Sequence, residues 1–306
     1  MIVASIDIGT NTVLLLIAEV KNSGELTPIL NKYRMPRIGK GIDATGLINS
    51  EKLNLLYTVL KEYDSLIKFY NCEKVIVTGT NALRIASNAS EVLKTIKNLF
   101  KYKIDIISGE EEAEYAYLGA TSNLLDKSAV LVIDIGGGST EIILGEKSEI
   151  KFKSSIRIGS VSATEKFLKH SPPQIEEIKI LKDEIIFLLK ELSSLNSYSN
   201  VIATAGTATT LSCMKLGLRD FVEDKVEMSS ITIEELNEII KKLGKLKPSE
   251  ILEIYGPIMK GREDIILAGA IILFETMIFF GIKNLKVSSW GIRYGAIIKY
   301  LKGLNL

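Results

Sequence analysis

Residues 133–146 read Ile-Asp-Ile-Gly-Gly-Gly-Ser-Thr-Glu-Ile-Ile-Leu-Gly-Glu, and this stretch decides the fold. The apolar run 129–133 leads into it, and 141–144 leads out. Both have the length and residue types of buried strands, with a turn of three glycines between them. A second copy stands near the start: Ile-Asp-Ile-Gly-Thr-Asn-Thr-Val-Leu-Leu-Leu-Ile-Ala-Glu-Val at 6–20. Strand, Asp-Ile-Gly, a turn of small residues and a second strand therefore occur twice, more than a hundred residues apart. Internal repetition of a strand–turn–strand unit predicts a duplicated fold with a cleft between its halves.

Outward from the first copy, 26–38 predicts a third strand. Residues 50–70 carry apolar positions at helical spacing, with Ser50 as a candidate N-cap. A short strand at 75–77, a helix at 89–100, a strand at 104–107 and an acidic helix at 110–119 complete one α/β domain by about residue 118. Outward from the second copy the order restarts, with a strand at 150–158 and helices at 160–169 and 174–195. A strand at 201–203, a helix from about 207, and helices at 232–244, 248–254 and 263–281 follow. A strand at 285–288 and a helix at 293–302 end the chain. The fold class expected is α/β, with domains at 1–118 and 119–306. The last helix, about 293–302, is a candidate to pack back on the first domain.

Composition narrows the chemistry. The chain has 306 residues with 46% hydrophobic and 25% charged, which suits two ordinary globular cores. Formal net charge is +1, so no broad field favours nucleic acid or an anionic membrane, and any anion site must be local. The only histidine, His170, precedes Ser171-Pro172-Pro173 in a predicted loop. Cys72 and Cys213 are far apart and form no metal-ligand pattern, which fits a reducing, cytoplasmic setting. The N-terminus lacks a basic segment and reaches Asp7 early, so no signal peptide is read there. The apolar run 265–282 carries Glu275 and Thr276 and is expected to be a core helix, not a membrane span. Only seven arginines occur, so an arginine inside a motif stands out.

The chemistry-bearing residues fall into six groups. Gly136, Gly137, Gly138 and Ser139 let a backbone approach a bulky anion, because no Cβ intervenes and successive N–H groups can form a nest. Asp134 and Glu141, at the two strand ends beside that turn, offer hard oxygen ligands for Mg²⁺. Asp7, Gly9, Thr10, Asn11 and Thr12 form the matching turn of the first half, although an Asp before a turn is often only a turn former. Gly206 and Thr207 lie where a strand passes into a helix, whose N-terminus attracts anions. Thr80, Asn81 and Arg84 follow a strand, and Arg37 lies in Arg-Ile-Gly-Lys-Gly; a guanidinium forks well onto phosphate. Glu110, Glu111, Glu112 and Glu114 open the acidic helix, where they also favour the helix dipole; a carboxylate there could take a proton from water. The Gly39-x-Gly41 pair is too short for a dinucleotide fingerprint.

Together, these motifs resemble the exopolyphosphatase / guanosine pentaphosphate phosphatase family, a branch of the actin-like, sugar-kinase-like ATPase superfamily. The resemblance runs through IDIGTNT, TGTNALR, IISGEEEAEYAYLG, VIDIGGGSTE, ATAGTATTL, IMKGREDIILAGA and VSSWGIRYG, nearly the whole chain. It implies two duplicated actin-like (ribonuclease H-like) domains and a phosphohydrolase that removes the terminal phosphate of inorganic polyphosphate, with guanosine pentaphosphate as the alternative substrate. Carried over by position, Glu112 is the catalytic carboxylate, Asp134 and Glu141 are the acids associated with Mg²⁺ or Mn²⁺, and Gly136 to Ser139 form a phosphate loop with Arg84 as the phosphate arginine. No nucleic acid or membrane partner is implied, and a homodimer is the assembly to test. Three departures matter: Leu14 replaces a basic residue, Tyr294 replaces an acidic one, and the chain stops at 306 without the helical domain of longer members. The last departure predicts preference for short chains. Two other classes stay open, a nucleotide-driven ATPase of the same fold and a polyphosphate or alarmone sensor with weak turnover.

Overall fold

A computed structural model describes residues 1–21, 24–124, 128–146, 149–192, 195 and 198–304. The predicted helix 174–195 reaches 193–194, which lie outside the described residues. The chain divides into two compact units, one of residues 1–119 with 291–306 and one of residues 120–290.

The first unit starts with β1 (Ile2–Ile8), β2 (Val13–Val20) and β3 (Leu26–Arg34), followed by the short α1 (Ile42–Thr45) and the long α2 (Ser50–Phe69). Next come β4 (Lys74–Gly79), α3 (Asn81–Ile85), α4 (Ala89–Phe100), β5 (Asp105–Ile106) and α5 (Gly109–Thr121). Its sheet runs β3-β2-β1-β4-β5. β1 and β2 pair antiparallel, as do β2 and β3, while β4 lies parallel to β1 and to β5. A β-meander edge joined to a parallel half puts helices on the sheet faces, so β1 is apolar on both faces and Val3, Ala4, Ile6 and Ile8 are all buried. β3 stops at Arg34 rather than at 38, because Pro36 cannot donate to a ladder and Arg37 takes a left-handed φ of 57°. The N-cap of α2 is Asn49, whose side chain accepts from the Glu51 N–H, and not the expected Ser50.

The second unit contains β6 (Ala129–Ile135), β7 (Thr140–Glu146), β8 (Glu149–Ile156), α6 (Ser160–Phe167), α7 (Ile175–Leu189), β9 (Asn200–Thr204) and α8 (Ala205–Lys215). It continues with α9 (Glu223–Val226), β10 (Ser229–Thr232), α10 (Ile233–Leu243), α11 (Pro248–Tyr255), α12 (Ile266–Phe279) and β11 (Asn284–Val287). The sheet order is β10-β11-β9-β6-β7-β8. Removing the edge strand β10 leaves the same pattern as the first unit, a three-stranded meander followed by two parallel strands. The duplication expected from 6–20 and 133–146 is therefore present in topology as well as in sequence. The final helix, α13 (Ile292–Gly303), belongs to the first unit and packs on β1, β2 and β4.

α12 fills the core of the second unit. Eleven of its fourteen residues are buried, and Glu275 within it is paired with Lys182 of α7 at 2.9 Å. It starts later than the predicted 263, because Gly256 and Gly261, both at positive φ, keep the preceding segment in tight turns. Among the described residues, no helix is long and apolar enough to cross a membrane.

Candidate active site

In the second unit, Asp134 of β6 lies directly opposite Glu141 of β7, Glu141 opposite Ser155 of β8, and Asp134 beside Thr204 of β9. Cross-strand partners project from one face, so these four side chains form a row across the ends of four strands. Asp134 and Glu141 are both buried, and the Ser155 hydroxyl donates to Glu141 Oε1 at 2.7 Å. The first unit has the same row in the same register: Thr78, Asp7, Leu14 and Tyr33. Leu14 thus stands where the second unit has Glu141. A pair of facing carboxylates exists in one half and a single one in the other.

The turns that join these strands also match. The Gly9 N–H donates to Thr12 O at 3.0 Å, and the Gly136 N–H donates to Ser139 O at 3.0 Å. The glycine loop of the second unit is held by the start of α6. Ser160 N–H donates to Gly136 O at 2.9 Å, Val161 N–H to Gly137 O at 2.8 Å, and Ser162 N–H to the same oxygen at 3.1 Å. The peptide unit is planar and trans, so a carbonyl turned toward α6 sends the next N–H the opposite way. The N–H groups of Gly137 and Gly138 therefore both face away from α6. Contact here is close enough that a Cβ on Gly159 would lie 2.5 Å from the Gly137 carbonyl carbon.

Gly206 and Thr207 open α8. Thr207 is buried against Gly269 of α12, and the guanidinium of Arg262 covers Gly206 so closely that a Cβ there would collide with it. Ala205 adopts a φ of 67°, a strained conformation for a residue with a side chain and one that occurs preferentially at functional turns.

In the first unit, Asp7 ends β1, and Thr10 and Asn11 are buried in the turn after it. The loop with Arg37 closes over this turn, with the Arg37 N–H donating to Asn11 O at 3.1 Å and the Gly39 N–H to Thr10 O at 2.8 Å. Gly39 must be glycine, because a Cβ would collide with the Thr10 side chain. Thr80 is buried at the start of α3, beside Gly9, and Asn81 is the first residue of that helix. One turn on, Arg84 Nη1 donates to Ile107 O at 2.7 Å and to Glu112 Oε2 at 3.1 Å.

The acidic turn of α5 sorts its carboxylates by helix geometry. Glu111 closes a capping box: the Ser108 N–H donates to Glu111 Oε2 at 2.8 Å, and the Glu111 N–H donates to Ser108 Oγ at 3.1 Å. Glu110 is exposed, and Glu114 pairs with Lys299. Only Glu112, about 100° further round than Glu111, is buried. Burial raises its proton affinity above the ordinary 4.5, and Arg84 opposes that rise. Asp7 is pushed from 3.8 up to about 7, mainly by burial and then by the Glu112 charge, with Arg293 opposing. The structure thus couples buried Asp7 and Glu112 with half-buried Arg84, and keeps Thr80 buried beside Gly9.

Two arginines belong with these groups that the sequence reading did not select: Arg262, which packs on Gly206, and Arg293, whose charge acts on Asp7. The signal was available in the scarcity of arginine and in the positions of both within quoted motifs. The single histidine lies elsewhere: its Nδ1 is 2.9 Å from Glu177 at the exposed start of α7. Among the described residues, no group of three or more His, Cys, Asp or Glu side chains could hold a metal ion. The Asp134/Glu141 pair is therefore a set of two carboxylates with no third His, Cys, Asp or Glu beside it among the described residues.

Comparison with known proteins supplies the context. The sequence profile of the Ppx/GppA phosphatase family matches residues 16–303. A bifunctional 3-dehydroquinate synthase/phosphatase of Fusobacterium nucleatum is 34% identical over 312 residues; the match takes in 97% of this chain but 46% of that protein, so the chain spans about half of its length. Exopolyphosphatase 2 of Mycobacterium tuberculosis is 32% identical over 286 residues, 89% of each chain. Among solved structures, the Aquifex aeolicus member of the Ppx/GppA family is 32% identical with a TM-score of 0.84, covering 100% of this chain and 99% of that one. An exopolyphosphatase from Cytophaga hutchinsonii, 25% identical, superposes with a TM-score of 0.91 over 99% and 98%.

Proposed function

The chain belongs to the Ppx/GppA phosphatase family, and from that membership we propose that it hydrolyses phosphoanhydrides, releasing the terminal phosphate of inorganic polyphosphate. The observation that carries the reading is the sorting of α5. One carboxylate, Glu112, is buried against an arginine with raised proton affinity, while its acidic neighbours are tied up in a cap, an ion pair or solvent.

In this reading Glu112 orients a water and takes its proton as the oxygen attacks the terminal phosphorus. The new P–O bond forms as the bridging P–O bond breaks, and the shortened chain leaves with the electron pair. A buried carboxylate with raised proton affinity is a stronger base than one in water, and Arg84 keeps it ionised and aimed. Within the first unit, Arg84, Arg293 and the 9–12 turn are the groups that would take phosphate oxygens, and within the second unit the outward N–H groups of Gly137 and Gly138 would do so.

The donor set of Asp134 and Glu141 fits Mg²⁺ or Mn²⁺. Both ligands are hard oxygens, they face each other in register, and a two-carboxylate site leaves the remaining positions to water and phosphate, which is how Mg²⁺ is usually held. A cation bound there would offset the negative charge of the phosphate chain. Ser155 fixes one oxygen of Glu141 toward that task.

The test is phosphate release from tripolyphosphate, long polyphosphate, guanosine pentaphosphate and ATP, each with Mg²⁺ and with excess chelator. Fastest release from polyphosphate and loss of activity in chelator are expected. Faster release from guanosine pentaphosphate would move the substrate assignment within the family, and ATP turnover alone would overturn the reading.

A further inference from the structure

Arg293 is the second residue of α13, and its guanidinium acts on Asp7. How it is held is informative. Arg293 Nη1 donates to Asn31 Oδ1 at 2.9 Å, and Asn31 Nδ2 donates to Tyr294 Oη at 3.0 Å. A guanidinium only donates, so the Asn31 amide can be oriented one way only, with its oxygen toward Arg293. Its NH₂ group then faces the Tyr294 oxygen, which must accept. Tyr294 is fully buried, and its ring lies 5.9 Å from the Arg293 Cζ. The backbone beneath is equally constrained. Gly295 touches the Tyr115 carbonyl of α5 so closely that a Cβ would collide with it, which fixes the rotation of α13 about its own axis. Asn31 sits in β3 opposite Leu16 of β2, which pairs with Ser5 of β1; this row lies on the same sheet face as Asp7, Leu14 and Tyr33 and next to them, so the side chain that holds Arg293 projects from the face that carries Asp7.

Among the described residues, no carboxylate lies within 4 Å of Arg293; its holder is an amide backed by a phenol, both neutral. We propose that Asn31 and Tyr294 are positioning residues that aim Arg293 at the Asp7 turn while leaving its charge undivided for an incoming phosphate. This rests on the phosphohydrolase reading above. A carboxylate in place of the amide would hold the guanidinium as firmly but would neutralise it, and a condensed phosphate would then find a weaker partner. The clamp therefore acts on anion affinity through Arg293.

The experiment is a mutant cycle on the whole protein with tripolyphosphate. Asn31→Ala, Tyr294→Phe and Arg293→Ala are made singly and in pairs. The Kd is read by calorimetry in chelator, KM and kcat by phosphate release, and folding by thermal melts. Asn31→Ala and Tyr294→Phe should each weaken binding and raise KM by about 10-fold, the range of one lost hydrogen bond to a charged group, with kcat changed less. In the Arg293→Ala background, both substitutions should have no further effect on Kd, because the residue they act through is gone. Asn31→Asp should weaken binding although it restores a hydrogen-bond acceptor. Multiplicative losses in the Arg293→Ala background, or Asn31→Asp binding as tightly as wild type, would overturn the clamp. Absence of turnover on any phosphoanhydride with an intact Kd cycle would instead overturn the catalytic reading and leave the clamp standing.

Discussion

Glu111 and Glu112 are adjacent in the chain and face different worlds: Glu111 closes the Ser108 capping box in solvent, and Glu112 is buried with its Oε2 3.1 Å from Arg84 Nη1. The cap sets the register of the helix. Because Ser108 and Glu111 must face one another across the first turn, residue 112 is turned to the buried side of the helix, where it meets Arg84. Local sequence preference thus selects which of the four glutamates is buried beside Arg84.

The pH dependence of turnover follows from that placement. Burial raises the Glu112 proton affinity above 4.5, and the base must be ionised to work, so kcat/KM should rise with pH along a limb centred above 4.5. Arg84 opposes the rise by its charge and its hydrogen bond. Arg84→Gln should therefore move the limb to higher pH as well as lowering the plateau. A pH profile on tripolyphosphate reads both, and a limb that moves to lower pH would contradict the pairing.

Asp7 makes a separate, structural prediction. Its native proton affinity of about 7 exceeds the unfolded value of 3.8, so between about pH 4 and 7 the folded chain holds a proton that the unfolded chain has lost. The sign is that stability from this group is full below pH 4 and declines as pH rises to about 7. Asp7→Asn cannot ionise, so the difference in Tm between variant and wild type should grow in the variant's favour across that window and level off above it. Thermal melts in chelator at pH 4 to 8 check this, and a difference independent of pH would refute it.

The glycine loop depends on the space above Gly159, whose φ of −138° and ψ of 177° suit any residue. A Cβ there would meet the Gly137 carbonyl carbon at 2.5 Å, so the conflict is one of volume. Gly159→Ala should cost about 1–3 kcal/mol, the usual range for overpacking, and should lower kcat/KM at least about 10-fold by displacing the Gly137 and Gly138 N–H groups. Gly303→Ala, with open space around it, serves as the control and should leave melting and turnover unchanged.

Much of this was legible in the sequence because the repeated hairpins are long, apolar and bounded by glycine. The duplication could be read from 6–20 against 133–146, and the buried nature of α12 from Glu275 and Thr276 within its apolar run. Three short elements were not legible. β10 has four residues and exists only because β11 offers an edge, and α3 and α9 are single turns fixed by their surroundings. At the site, the acidic turn of α5 was visible but its rotation was not, since the capping role of Glu111 needs the Ser108 hydrogen bonds to be seen. Arg293 and Asn31 are separated by 262 positions, and no local pattern links them. Leu14 is intelligible only once the register places it opposite Asp7.

The most direct test of the account compares Glu112→Gln with Glu111→Gln, measuring kcat for phosphate release from tripolyphosphate alongside its Kd. Both substitutions keep the shape, and glutamine at 111 can still close the capping box. A positioned general base is typically worth about 10²–10⁴-fold. Glu112→Gln should lower kcat by that factor with Kd unchanged or tighter, and Glu111→Gln should stay close to wild type. Near-normal kcat in Glu112→Gln, with or without a loss in Glu111→Gln, would contradict the assignment of the base.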